Sequence, residues 1–228
     1  MKRYPLMLLT LMLGQAWALP SFRASYDVKV RGIHAGQMTM DAVLTSQSYT
    51  INAKTEPSLP AKMLGYGFVN EIASGEIHNN HLRPRKYERT MEDNEKYHLN
   101  YNFDLKARTI DATVGGKKVQ LDYKDQVPLD TTALVIQALM DDELGKKASS
   151  YTMVSEDKVR SYKVEQLKDQ QWQDEKGKSI PVRVYRQTNG NRQTMVYIAD
   201  NPRRLVKLQQ IKNDQNMFLL KLVKYKPL

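Results

Sequence analysis

Two histidines lie three positions apart in a segment that also carries glutamates, and histidine and carboxylate side chains are common metal ligands. His78 and His81 enclose an Asn-Asn pair, and Glu71 and Glu76 precede them. A metal site needs three or four ligands that converge on one point. Histidines at these positions of a turn between strands need not face each other. We therefore predict exposed turn histidines and no metal site.

Residues for acid–base or nucleophilic catalysis form no recognisable set. The chain has no cysteine, and it contains no G-x-S-x-G elbow that would activate a serine. The acidic run 141–143 falls in the last turn of a predicted helix, where consecutive side chains point in different directions, and we interpret it as a solvated helix end. His34 and His98 stand alone. The sequence predicts no catalytic residue and no cofactor, and an enzyme acting on envelope polymers stays open as a minor alternative.

A short apolar segment, residues 58–68, is the clearest candidate for ligand binding. Ser58 and Pro60 favour the start of a helix, and Gly65 and Gly67 favour its end. Such a helix can form a lid over the open side of a curved sheet, although the same side chains can also simply close a core. The predicted cavity residues, which include three methionines outside the segment, are Leu59, Met63, Leu64, Tyr66, Phe68, Met38, Met40 and Met91.

The chain is basic, with 35 Lys and Arg against 25 Asp and Glu and a formal net charge of +10. Outside the cytoplasm such a charge favours anionic lipid headgroups, lipopolysaccharide phosphates or acidic polymers as partners. The alternative is that the charges are only solvated, because the lysines are scattered in a strand-like alternation. The residues predicted to make surface contacts are Arg83, Arg85, Lys86, Arg203 and Arg204.

The elements that must position these residues are mainly strands, because apolar and polar residues alternate along most of the chain. Residues 97–103 place Tyr, Leu, Tyr and Phe on one face, and Gly115-Gly116 between two later runs predicts a two-residue hairpin. A main helix is predicted at about 131–144, capped by Asp130, and a short one at about 59–64. We predict a mainly β fold, a large curved antiparallel sheet or open barrel with both helices packed on or in its concave face.

Residues 1–18 have the pattern of a removable secretory signal peptide. Two basic residues precede an apolar run at 6–13, and small residues lead to a predicted cleavage site between Ala18 and Leu19. The apolar run is too short to span a bilayer. Because the chain has no cysteine to acylate, lipid anchoring at this site is not expected. We expect the remaining chain to be a soluble periplasmic protein without a transmembrane segment.

Several short motifs follow one another in a characteristic order. They are Tyr26-Asp27-Val28, the turn Gly32–Gly36, Ser74-Gly75, Leu82–Tyr87, the helix start at Asp130, Val196–Asp200 and Arg204–Leu208. With these motifs the chain resembles the domain of unknown function 3108 family of exported proteobacterial proteins, departing from it at Tyr197 and Val206, where tryptophan and proline are frequent. The resemblance implies an open curved antiparallel sheet that partly encloses helices, similar to the LolA and LolB lipoprotein carriers, and a shared fold does not by itself establish lipid carriage.

These observations lead to two expectations for function. The first is a periplasmic binding or carrier module for an apolar or amphipathic envelope component, such as a lipid or a lipoprotein. The second is a structural or protein-interaction factor of the envelope that acts through its basic surface. Export excludes nucleic acid as the expected partner. We expect residues 19–228 to form a single domain, with two halves, about 22–123 and 150–226, joined by the main helix as the alternative.

Overall fold

The computed structural model describes residues 19–146, 149–174 and 177–228. The predicted signal peptide, with Ala18, lies outside these residues, whereas Leu19 is described and buried. The strands are β1 (Phe22–Val30), β2 (Ile33–Leu44), β3 (Ser48–Pro57), β4 (Val69–His78), β5 (His81–Met91), β6 (Leu99–Asp104), β7 (Thr109–Val114), β8 (Lys117–Asp122), β9 (Ser150–Ser155), β10 (Lys158–Gln166), β11 (Gln170–Gln173), β12 (Ser179–Asn189), β13 (Arg192–Ala199), β14 (Arg204–Lys212) and β15 (Gln215–Pro227). The helices are α1 (Leu59–Met63) and α2 (Thr131–Glu143), with a 3₁₀ turn at Glu95–Tyr97.

All of these strands belong to one antiparallel sheet of 15 strands, which confirms the predicted mainly β fold. The first half of the chain forms a meander from β1 to β8, and most of the second half forms another from β15 back to β12. Strands β10 and β9 complete the second end, and β11 pairs with β12 beside this path. Because β1 pairs with both β2 and β15, the two halves are joined in one continuous sheet.

The sheet is strongly curved, so that its two ends approach each other. Strand β8 at one end contacts β10 near the other. The Tyr101 hydroxyl in β6 donates a hydrogen bond of 3.0 Å to the backbone carbonyl of Glu156, in the turn between β9 and β10. Helix α2 contacts β3, β4, β5, β9 and β14. It therefore lies inside the curve and packs against both halves of the sheet.

The inner face of the sheet carries the core, because residues that pair across antiparallel strands point to the same face. One continuous row of buried side chains runs across five strands, where small and large residues alternate and so fill the space between neighbours. Its members, paired strand to strand, are Phe22, Ala42, Ile51, Ala73 and Tyr87. The row continues into β6, where Tyr87 and Tyr101 stack with ring centroids 5.4 Å apart.

Helix α2 begins where the sequence predicted, because Asp130 accepts hydrogen bonds from the backbone N–H groups of Thr132 and Ala133. It ends at Glu143, one residue earlier than predicted, and Gly145 adopts a positive φ of 63° just beyond it. Its core-facing side chains include Ile136 and Leu139. Helix α1 differs, since Ala61 is its one buried residue and it contacts the ends of β2 and β3 at the rim of the sheet. Within the described residues, neither helix is long and apolar enough to cross a bilayer.

Candidate functional site

The apolar segment between β3 and β4 faces solvent. Its large side chains have exposed fractions between 37% for Phe68 and 81% for Met63. Backbone and polar contacts hold it in place. The Ser58 N–H donates to the Ala35 carbonyl at 2.9 Å, and the Ser58 hydroxyl donates to the His34 carbonyl at 2.7 Å. The predicted lid residues Leu59, Met63, Leu64, Tyr66 and Phe68 therefore form an exposed surface of the rim.

The three methionines predicted to line the same cavity lie on the inner face of the sheet. Met38 and Met40 are buried in the core. Met91 is partly buried and shares a cross-strand row with Met38 through Thr55 and Val69. The methionines and the side chains of the apolar segment thus occupy different environments. In this structure the segment does not act as a cover over the methionines.

The apolar segment and the first residue of β2 together form a surface that we call the apolar rim. It consists of Ile33, Leu59, Met63, Leu64, Tyr66 and Phe68, all of which are exposed large apolar residues. Lys62 lies within it, with its ammonium nitrogen 5.0 Å from the centroid of the Phe68 ring. A Cβ atom at Gly67 would lie 2.4 Å from the Glu92 carbonyl oxygen, so glycine is needed where the rim meets the loop after β5.

The basic residues predicted as surface contacts have two different placements. The side chains of Arg203 and Arg204 bind partners inside the molecule. The prediction that they make surface contacts was therefore wrong for both. The Arg203 side chain is 14% exposed and pairs with Glu143 at 2.5 Å. Arg204 is buried and donates to the Pro202 carbonyl at 2.8 Å. Arg83, Arg85 and Lys86 in β5 are exposed, and their role as surface contacts stays a prediction.

The carboxylate of Asp142 is the centre of a buried charged cluster at the end of α2. Its side chain is 2% exposed, and Arg183 donates to it at 2.6 Å. Arg203 and the hydroxyl of Tyr185 also donate to it, and Arg203 pairs with Asp200 at 3.0 Å. Burial and the Asp142 charge raise the pKa of Tyr185 above its ordinary value. The prediction of a solvated helix end was therefore wrong, because the partners come from β12 and the β13–β14 turn, which are distant in sequence.

A cleft opens beside the C-terminal half of α2, and we call it the α2 cleft. It lies between the β4–β5 turn, α2 and the first residues of β9, and its volume is about 650 Å³. Gln137 connects α2 to β5 at the floor of the cleft. The Oε1 atom of Gln137 accepts from the Leu82 N–H at 2.7 Å, and its Nε2 donates to Asp141 at 3.0 Å. The Tyr151 hydroxyl donates to the other Asp141 oxygen at 3.0 Å. Burial and the Asp141 charge raise the pKa of Tyr151.

The two turn histidines of the sequence lie at the mouth of this cleft. His78 and His81 are paired in register across the β4–β5 turn, where Asn79 and Asn80 adopt positive φ angles of 50° and 61°. Both histidines are exposed and line the cleft. Among the residues that the structure describes, no group of three or more His, Cys, Asp or Glu side chains is placed to hold a metal ion.

The capping carboxylate of α2 lies in an unusual environment. Asp130 is fully buried, and its Oδ1 accepts from Thr132 and Ala133, whereas its Oδ2 has no hydrogen-bond partner in the described structure. Burial raises the pKa of Asp130 to about 6, against the lowering effect of the hydrogen bonds at Oδ1. The hydroxyl of Tyr49 is also buried and unpartnered among the described residues, and burial and the Asp130 charge raise its pKa.

The sequence did not identify the floor of the α2 cleft as a site. Gln137 and Asp141 lie four positions apart in a helix that is otherwise largely apolar, so both fall on one face. Polar side chains on the buried face of a helix are the signal that could have found them, because such groups need hydrogen-bond partners. Tyr151 carried no comparable signal.

The comparisons with known proteins identify a family. The family described as Protein of unknown function (DUF3108) matches residues 25–218, which is most of the chain. No curated protein matches the sequence.

Proposed function

We propose a function for this chain from the geometry of its surface. The chain belongs to the DUF3108 family of proteins of unknown function. The protein is a periplasmic binding module that attaches to an amphipathic component of the cell envelope through the apolar rim. The observation that carries this proposal is the exposure of five large apolar side chains on one short segment. Contiguous exposed apolar patches in water-soluble folds commonly mark interaction sites.

The way in which the rim is anchored supports a binding role. Core packing would explain apolar side chains that point inward, yet in α1 only Ala61 is buried. The segment is held instead by Ser58 at its start and by the loop after β5 at its end, where the Glu92 N–H donates to the Phe68 carbonyl at 2.9 Å. These contacts are made by backbone and hydroxyl groups, so the apolar side chains stay exposed.

The composition of the rim favours an anionic lipid surface as its partner. Apolar side chains beside basic ones bind membrane interfaces through apolar burial and attraction to anionic headgroups. Lys62 lies inside the rim and Arg31 lies in the turn next to Ile33. Without residues 1–18, which include Lys2 and Arg3, 33 Lys and Arg stand against 25 Asp and Glu, and this net charge of +8 adds long-range attraction to such a surface. The resemblance to lipoprotein carriers agrees with an amphipathic partner as a fold-level analogy.

Vesicle sedimentation tests this proposal. We expect the protein with residues 1–18 removed to sediment with phosphatidylglycerol vesicles more strongly than with phosphatidylcholine vesicles. The double variant Met63→Ser, Leu64→Ser should bind about tenfold more weakly, because it removes two apolar side chains from the contact. The control is Val43→Ser, Ile72→Ser, which changes two exposed apolar residues on the strands, outside the apolar rim. Equal binding by both double variants, or no binding to either vesicle, would refute the proposal.

The alternative function, a protein-interaction factor acting through basic residues, keeps Arg83, Arg85 and Lys86 as its candidates. They are exposed positions on β5 on either side of the buried Pro84. Crosslinking in cells followed by identification of the partner tests it. A stable protein partner that is lost in the Arg83→Ser, Lys86→Ser variant and retained in the rim variant would favour this function over lipid attachment.

A further inference from the structure

We propose that the α2 cleft is a second binding site, and that it takes a small anionic saccharide. The cleft lies at the β4–β5 turn, whereas the apolar rim precedes the first residue of β4. The 10 residues of β4 span about 30 Å at the usual rise of a strand. The two surfaces thus lie at opposite ends of β4. The proposal for the α2 cleft therefore does not depend on attachment through the apolar rim.

The floor of the cleft is preorganised. Gln137 is bonded to the Leu82 N–H, to the Asn80 carbonyl at 3.1 Å and to Asp141, so its amide orientation is fixed. Asp141 is 4% exposed and receives hydrogen bonds from Gln137 and Tyr151. Side chains that are locked by their neighbours lose little entropy when a ligand binds to them. A cleft of about 650 Å³ is within the range of natural small-molecule sites.

The charges of the cleft favour an anion. Arg83 and Lys146 line it. The one acidic residue of its lining, Asp141, lies 4.0 Å from the Lys146 ammonium and accepts from two hydrogen-bond donors, so the charge of Arg83 is the one that stays uncompensated in this lining. Neighbouring basic residues on β5 have acidic partners, since Arg85 pairs with Glu76 and Lys86 with Glu88, whereas no ion pair of Arg83 occurs within the described residues. The guanidinium of Arg83 is therefore available to bind a carboxylate or phosphate through two hydrogen bonds.

The remaining lining favours a sugar as the carrier of that anion. Ser150, Thr152 and Gln126 line the cleft with groups that both donate and accept hydrogen bonds, as sugar hydroxyls require. Val127, which is partly buried, adds apolar surface against which the C–H face of a sugar ring can pack. An anionic group on a hydroxylated ring matches both parts of this lining. The anion can be a carboxylate or a phosphate, and the experiment separates the two.

Titration calorimetry with three probes tests the proposal, using digalacturonate for the carboxylate, glucose 1-phosphate for the phosphate and maltose as the neutral sugar. We expect at least one anionic probe to bind at least tenfold more tightly than maltose. The variants Arg83→Gln and Lys146→Gln should each weaken that binding by about tenfold, because each removes a charged hydrogen-bond donor. The matched control is Arg85→Gln, which changes an exposed arginine that does not line the cleft.

The outcomes separate this inference from its alternatives. Tighter binding of digalacturonate identifies a carboxylate site, and tighter binding of glucose 1-phosphate identifies a phosphate site. No binding of either anionic probe at about 10 mM, equal binding of maltose, or an equal loss in the Arg85→Gln control would each overturn the proposal. The double rim variant should bind the sugar as the unaltered protein does, so failure of vesicle attachment and failure of sugar binding are distinguishable.

Discussion

The buried cap of α2 gives the sharpest quantitative prediction. Burial raises the pKa of Asp130 from 3.8 to about 6, which corresponds to about 3 kcal/mol at 1.36 kcal/mol per pKa unit. The folded state therefore binds this proton more tightly than the unfolded state does. Between about pH 4 and pH 6 the free energy of unfolding falls as pH rises. Above pH 6 the titration of Asp130 causes no further loss of stability.

The variant Asp130→Asn removes this pH dependence. Asparagine caps helices as well as aspartate does, so the hydrogen bonds to Thr132 and Ala133 can be kept. We expect the variant to match the unaltered protein near pH 4 and to exceed its free energy of unfolding at pH 8 by up to about 3 kcal/mol. The measurement is urea unfolding followed by tryptophan fluorescence at several pH values between 4 and 8.

The difference between the free energies of unfolding of the two proteins reports the titration of Asp130 alone. The other titrating groups contribute equally to both pH curves, so their contributions cancel. Asp104→Asn is the control, since this exposed carboxylate accepts from the backbone N–H groups of Lys106 and Ala107, and its pKa is lowered. That variant should lose stability above the pKa of the carboxylate instead of gaining it. Identical pH dependence in Asp130→Asn and the unaltered protein would refute the reasoning.

Two further predictions concern the charged cluster and the rim. Asp142→Asn should lower the free energy of unfolding by about 3 kcal/mol in urea unfolding at pH 7, because it leaves Arg183 and Arg203 without their shared buried carboxylate. Asp200→Asn should lower it clearly less, since that side chain is 39% exposed, and equal losses would contradict the assignment of Asp142 as the centre. Gly67→Ala should lower the melting temperature and weaken vesicle attachment together, because its Cβ would lie 2.4 Å from a backbone oxygen and displace the rim. Unchanged melting and attachment would show that the rim is not held at this point.

The local features of the fold could be predicted from the sequence because each depends on neighbouring residues. The alternation in residues 99–103 formed β6, and the Gly115-Gly116 pair formed the turn between β7 and β8. Tyr97 differs, because it lies in the 3₁₀ turn before β6 instead of in the strand. Asp130 capped α2 as expected. In these cases the alternation of side chains and the turn residues determine the local structure within a few positions of the chain.

The candidate sites depend on contacts between distant parts of the chain, and periodicity does not encode them. Asp142 meets Arg183 and Arg203 only because β12 and the β13–β14 turn fold back over the end of α2. The apolar composition of residues 59–68 was visible, but whether another element would cover those side chains was not. Gln137 joins α2 to the β4–β5 turn across 55 positions of the chain, a separation that local periodicity does not report.

The pairing of β1 with β15 makes sheet assembly a long-range event. The meander from β1 to β8 grows by pairing each strand with its neighbour in sequence, and so does the stretch from β12 to β15. Joining the two requires strands from the opposite ends of the described chain to meet, and long loop closure slows such steps. Until β15 pairs with β1, both strands present unpaired edges. A chain interrupted before β15 would therefore expose the edges of β1 and β14 to pairing with other molecules.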